Sequence, residues 1–74
     1  MQSEEEMQLT LAHLRDAWGV DVSAVQDLSG EDLWIWILRV GGELIEREYA
    51  KAKSENVSRI VNDPVHRLKK WWVK

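Results

Sequence analysis

The chain is 74 residues long, with a net charge of -3, five tryptophans and no cysteine. A chain of this length buries only about 60% of the surface that its unfolded form exposes, so we expect one domain, residues 1–74, with a small core. The lack of cysteine excludes disulfides, thiolate metal ligands and thiol nucleophiles, and it fits a reducing compartment.

The N-terminus shows no targeting segment. Met1 is followed by a polar and acidic run rather than by basic and then apolar residues, and no apolar stretch reaches about 18 residues. We therefore expect neither a signal peptide nor a membrane span, no membrane partner, and a cytoplasmic location.

Charge is unevenly distributed along the chain. Residues 1–37 carry eight acidic residues and one basic residue, a net charge of -7, whereas residues 38–74 carry nine basic and five acidic residues, a net charge of +4. The asymmetry has two interpretations. Helices of opposite charge fold back on each other within one chain, or the charge favours antiparallel self-association or a steered encounter with a charged partner.

The first helix is predicted from a capping box. Ser3 and Glu6 are spaced to cap each other's backbone amides, and Gly19 is placed to end the helix. A narrow apolar seam repeats at steps of four, three and four, and consists of Met7, Leu11, Leu14 and Trp18. This seam packs either on the long helix of the same chain or on a second protomer.

Residues 20–28 predict a short helix or structured loop, in which Asp21 caps a single turn. Its apolar residues are Val22, Val25 and Leu28. Helix, short helix and long helix in succession resemble a helix-turn-helix outline, but Glu31 and Asp32 at the start of the long helix would repel phosphates, so DNA reading is not expected.

A long helix from Gly30 to about Glu55, capped by Ser29, is the predicted spine of an all-α bundle of three main helices and one short helix. At about 100° per residue, one broad stripe collects most of its apolar positions. The stripe consists of Leu33, Trp34, Ile37, Leu38, Gly41, Leu44, Ile45, Tyr49 and Ala52. Gly41 marks either a close helix crossing or, with Gly42, a break.

Ile35 and Trp36 fall off this stripe, so residues 33–38 must be covered from more than one direction. Around residues 54–56 the apolar pattern changes phase, and either the helix bends or a new segment begins. Asp63 and Pro64 then predict the start of a last helix that runs to the C-terminus.

The last helix has an apolar edge and a basic remainder. Val65, Leu68 and Trp72 form the edge. Because adjacent helical residues point about 100° apart, one contact cannot bury both Trp71 and Trp72, and one indole is expected to stay available.

Five tryptophans are the main functional signal, since each covers roughly 150 to 250 Å² and a core this small cannot hold them all. The sequence predicts a protein-protein interaction module, an inhibitor, adaptor or assembly subunit that forms a homodimer. The predicted anchors are Trp34, Ile35, Trp36, Trp71 and Trp72. The competing interpretation is a monomer whose tryptophans simply fill a thin core.

The basic C-terminal residues allow an alternative, nucleic-acid binding, with phosphates on the cations and a base stacked on Trp71 or Trp72. The cations are Arg67, Lys69, Lys70 and Lys74. Because they also suit the C-terminal end of a helix dipole, and the chain is acidic overall, the protein-protein interpretation is preferred.

An enzyme is the weakest option. His13 and Asp16, and likewise His66 and Asp63, are three positions apart on one helix face, so two such pairs could meet around a metal. We expect solvated histidines and an Asp63 occupied in capping instead, with no catalytic site, metal or cofactor.

Overall fold

The computed structural model describes residues 2–52 and 54–72. Within them the secondary structure is helical, without any strand, so the prediction of an all-α fold is confirmed. The elements in chain order are α1 (Glu4–Trp18), a 3-10 turn (Ser23–Val25), α2 (Gly30–Lys51), α3 (Ser54–Val61), a second 3-10 turn (His66–Leu68) and α4 (Lys69–Trp72).

The chain divides into two compact units, an N-terminal unit of residues 1–37 and a C-terminal unit of residues 38–74. Helix α2 runs through the boundary without interruption, as expected of the predicted spine. The boundary falls where the sequence changes from net negative to net positive charge. The assignment of one domain stays a prediction.

Helix α1 begins and ends where local signals predict. The Ser3 side chain accepts a hydrogen bond from the Glu6 backbone amide at 3.2 Å, and its hydroxyl donates to the Glu6 carboxylate at 3.2 Å. At the other end Gly19 adopts a left-handed conformation with φ 67°, which turns its N–H and that of Val20 towards the Leu14 carbonyl. The boundaries are therefore set by residues close in sequence.

The predicted short element is the 3-10 turn Ser23–Val25. The Asp21 carboxylate accepts hydrogen bonds from the Ser23 amide, at 3.0 Å, and from the Ser23 hydroxyl. These bonds from the hydroxyl and the amide lower the pKa of Asp21. Val25, inside the turn, is buried.

The first part of α2 completes the N-terminal unit. Gly30 opens the helix with φ 56°, a value that favours glycine. The seam and the part of the stripe that lies in this unit are buried as predicted, apart from a half-buried Trp18. The buried hydrophobic residues of this unit are Met7, Leu11, Leu14, Val25, Leu33, Trp34 and Ile37. Further along α2, Leu38, Leu44, Tyr49 and Ala52 of the stripe are half-buried.

In the C-terminal unit α2 continues past Gly41 and Gly42 without a break and ends at Lys51, about four residues earlier than predicted. The Ala52 N–H bonds to the Tyr49 carbonyl at 3.4 Å, a three-residue spacing that tightens the final turn. Helix α3 starts at Ser54, so the change of phase in the sequence marks a new segment.

The prediction of one continuous helix from Pro64 to the C-terminus is wrong. The segment forms the 3-10 turn His66–Leu68 followed by the single turn of α4. A 3-10 turn has three residues per turn, so it aligns Val65 and Leu68, which are both buried, on one side.

Candidate protein-binding surface

The C-terminal segment, residues 63–72, lies against α2 at Gly41. A Cβ atom at Gly41 would stand 3.1 Å from Trp72 Cζ2 and 3.2 Å from Val65 Cγ1. A Cβ at this position would therefore require Trp72 or Val65 to shift by a few tenths of an ångström. Gly41 is a point of close contact, but an indole ring and a valine side chain occupy the space rather than the backbone of a crossing helix.

Two polar contacts fix the same segment. The Tyr49 hydroxyl and His66 Nε2 are 2.7 Å apart, with the two rings arranged edge to face. The Asp63 carboxylate accepts a hydrogen bond from the Val65 amide at 2.8 Å. His66 is consequently half-buried and bonded to Tyr49 of α2, rather than fully solvated as the sequence led us to expect, while the predicted capping role of Asp63 is confirmed.

The two adjacent tryptophans have different environments. Trp72 is half-buried over Gly41 and Gly42, and within the described residues its buried Nε1 lacks a hydrogen-bond partner. Trp71 is 43% exposed. The prediction that this pair cannot be buried together is confirmed, because the contact that covers one indole turns the other outwards.

One cation lies close to the exposed indole. Lys70 Nζ is 5.4 Å from the centre of the Trp71 ring, within the range of a cation-π contact. Arg67, four residues before Trp71, is also exposed. We call these three residues, Arg67, Lys70 and Trp71, the basic face. It combines one exposed indole with two exposed cations.

A second face lies at the start of α2 in the N-terminal unit. Glu31, Asp32 and Ile35 are all exposed, and Ile35 is 53% exposed. Spacings of three and four residues place them along one side of the helix. We call them the acidic face. It combines one exposed aliphatic side chain with two carboxylates.

The remaining predicted site residues differ in accessibility. Trp34 is only 7% exposed and belongs to the core, so it presents little surface to a partner. Trp36 is half-buried and Lys69 is exposed. Lys74 lies outside the described residues. Of the predicted anchors, Ile35 and Trp71 therefore have the most accessible side chains.

Two further apolar residues are exposed that sequence reasoning did not select. Leu9 in α1 is 65% exposed, and Val61 at the end of α3 is 45% exposed. Leu9 stands two positions from Met7, off the buried seam, so helical periodicity contained the signal. Val61 lies beside the buried Ile60, and the phase change before α3 obscured its direction.

The residues considered for a metal site have other partners. Arg15 Nε donates to the Asp16 carboxylate at 2.8 Å, and this hydrogen bond lowers the pKa of Asp16. His66 and Asp63 are engaged as described above. Across residues 2–52 and 54–72, no group of three or more histidine, aspartate or glutamate side chains is placed to hold a metal ion.

Comparisons with known proteins were made for the whole chain. No protein-family model, curated protein or solved structure matches it. Among the described helices, none is both long enough and apolar enough to cross a membrane. Function is therefore inferred from the two faces.

Proposed function

We propose that this protein is a protein-protein interaction module, an inhibitor, adaptor or assembly subunit that acts by occupying a partner's surface and that self-associates as a homodimer. The observation that carries the proposal is the exposure of Ile35 and Trp71: Glu31 and Asp32 precede Ile35 by one turn, and Lys70 lies beside Trp71. Its role is binding rather than catalysis.

Single exposed apolar residues are ordinary on protein surfaces, so exposure alone is weak support. The arrangement around Trp71 is more informative. Tryptophan and arginine are both enriched at interface hot spots, and the cations of arginine and lysine bind carboxylates. Ile35, with Glu31 and Asp32, has complementary chemistry. Both side chains suit the centre of a small interface with a charged rim.

The interface is expected to be modest in size. A standard interface covers roughly 800 Å² per partner, which a chain of 74 residues reaches only by using more than one face. We therefore expect weak association that depends on concentration. The absence of cysteine in the sequence supports our proposal that the protein acts in the reducing cytoplasm.

Sedimentation equilibrium across protein concentration tests the proposal. The unmodified chain should shift from monomer to dimer, and an Ile35→Ala/Trp71→Ala variant should raise the Kd at least about tenfold, as the loss of hot-spot residues does. Leu9→Ala/Val61→Ala is the matched control, because it also truncates two exposed apolar residues, and it should change the Kd less than about threefold. A strictly monomeric chain would contradict the homodimer.

Nucleic-acid binding is the second candidate, and the exposed Trp71 beside Lys70 is the observation that favours it, since bases stack on indoles between cations. The test is quenching of tryptophan fluorescence by single-stranded DNA and RNA at low salt. Quenching that is lost in Trp71→Ala would favour this candidate. No affinity at low salt would remove it.

A further inference from the structure

We infer that the basic face takes the acidic face of a second copy of this chain, so that Arg67, Lys70 and Trp71 of one protomer lie on Glu31, Asp32 and Ile35 of the other. This inference rests on the proposed function and names its partner. It would make the contact twice in a closed dimer, since twofold symmetry repeats each pair of residues.

The first argument is chemical complementarity. Each face has one exposed apolar side chain and two exposed charges, and the charges are opposite in sign. Placed together, Ile35 covers the indole of Trp71 while the carboxylates meet the guanidinium and the ammonium group. Arginine binds carboxylates through two parallel hydrogen bonds, which gives such a contact direction as well as attraction.

The second argument is the charge of the units that carry these faces. The acidic face lies in a unit with a net charge of -7, and the basic face lies in a unit with a net charge of +4. When two copies approach with unlike units facing, the wider field attracts at both contacts. An approach with like units facing is repelled. The field thus favours a second copy in the antiparallel arrangement and accelerates its encounter.

The third argument is accessibility within a single chain. All six side chains are exposed. Spacings of three and four residues group the acidic face on one side of α2, and the basic face joins Arg67 of the second 3-10 turn to Lys70 and Trp71 of α4. Trp72 packs over Gly41, and this contact fixes the turn that carries Lys70 and Trp71 of the basic face. The basic face therefore needs little rearrangement before it binds, which reduces the entropic cost of association.

Complementary charge reversal tests this pairing. Glu31→Lys/Asp32→Lys makes both faces basic, and Arg67→Glu/Lys70→Glu makes both faces acidic. Each variant alone should weaken self-association at least tenfold. Mixed in equal amounts, the two variants should form a heterodimer whose Kd is within about threefold of the unmodified chain, because both contacts then pair unlike charges again.

Two control variants reverse the same number of charges at other positions, so that an effect of net charge can be distinguished from an effect of the two faces. Glu4→Lys/Glu5→Lys reverses two exposed acids in the first turn of α1, as the first variant does in α2. Arg47→Glu/Lys51→Glu reverses two exposed bases of the C-terminal unit outside both faces. Each control should change the Kd less than about threefold. Circular dichroism of every variant checks its helix content, and Glu31→Gln/Asp32→Asn provides a milder change should the reversal unfold α2.

The outcomes separate the inference from the proposed function. If neither reversal weakens the dimer, or if the controls weaken it equally, the pairing of these two faces is wrong. The proposed function as an interaction module would still stand. Failure of the mixture to recover also overturns the pairing, as does growth beyond a dimer. A monomeric unmodified chain overturns the inference and the proposed homodimer together. Self-association weakened by each reversal and restored in the mixture supports the pairing.

Discussion

The N-terminal and C-terminal units hold their helices by different means. In the N-terminal unit, α1 is bounded by hydrogen bonds between residues at most six positions apart, from Ser3 to Glu6 and from Val20 to Leu14. In the C-terminal unit, the last segment is held by Tyr49, 17 positions before His66, and by the close approach of Trp72 to Gly41. Local signals fix the ends of α1 in the first unit, whereas long-range packing fixes the last segment of the second unit.

This difference also explains why Trp71 is exposed. The seam residues of α1 are buried, apart from a half-buried Trp18, and the helix ends are set by Ser3 and Gly19. In the C-terminal segment a single turn must cover Gly41 with Trp72, and the neighbouring Trp71 has no room on the same side. A packing requirement in the core thus places an aromatic residue at the surface.

The largest effect is expected from a substitution in the core of the N-terminal unit, because the caps of α1 cannot replace lost packing. Leu14→Ala removes a side chain with 0% exposure and should lower the free energy of unfolding by about 2 to 5 kcal/mol. Leu9→Ala, in the same helix but largely exposed, should change it by less than about 0.5 kcal/mol. Urea unfolding followed by circular dichroism measures both. Equal effects would contradict the assigned seam.

A smaller effect is expected from a substitution that disrupts the long-range contact of Gly41 with Trp72 in the C-terminal unit. Gly41→Leu places a side chain where Trp72 and Val65 already lie, and should cost about 1 to 3 kcal/mol of unfolding free energy. Tryptophan fluorescence should also shift to the red as Trp72 is displaced into water.

The neighbouring glycine provides the control for that variant. A Cβ at Gly42 would meet its nearest atom, in Trp72, at 3.7 Å, an ordinary contact. Gly42→Ala should therefore stabilise the helix by up to about 1 kcal/mol. If both glycine variants changed stability in the same direction and by the same amount, Gly41 would not be a special point of contact.

The smallest expected effect concerns the local hydrogen bonds of Asp21 in the N-terminal unit. Hydrogen bonds from the Ser23 hydroxyl and amide hold the pKa of Asp21 below its usual value, so the charged form favours the folded turn. Its contribution is complete above the usual aspartate pKa of about 3.9 and is lost as pH falls through the lowered pKa.

The Ser23 amide resonance in NMR reports that titration. Between pH 7 and pH 2 it should move with an apparent pKa below the usual aspartate value. In Asp21→Asn the movement should disappear. A resonance that titrates at the ordinary aspartate pKa in the unmodified chain would contradict the described capping of this turn.

The sequence was informative where structure depends on near neighbours. The boundaries of α1, the turn after Asp21 and the continuous central helix all follow from caps, glycines and periodicity. The last segment could not be predicted in the same way. Its apolar edge, Val65, Leu68 and Trp72, follows from the sequence, but neither its 3-10 form nor its packing at Gly41 does.

The anchors show a second limit. Helical periodicity already placed Trp34 on the buried stripe and Ile35 off it, and the structure gives them that order of exposure. The abundance of tryptophan suggested Trp34 as an anchor nevertheless. The apolar edge of the last segment already indicated Trp72 as the covered indole, but its packing over Gly41, about 30 positions away in sequence, was not predictable.

The salt dependence of association tests the central claim, that oppositely charged faces around Ile35 and Trp71 bind each other. Salt screens exposed charges, with a Debye length of about 10 Å at 0.1 M and about 3 Å at 1 M. Sedimentation equilibrium of the unmodified chain should show a dimer at 0.05 M salt whose Kd rises at least about tenfold at 1 M salt. A chain that remains monomeric at every concentration and salt, or a dimer that salt strengthens, would contradict the claim.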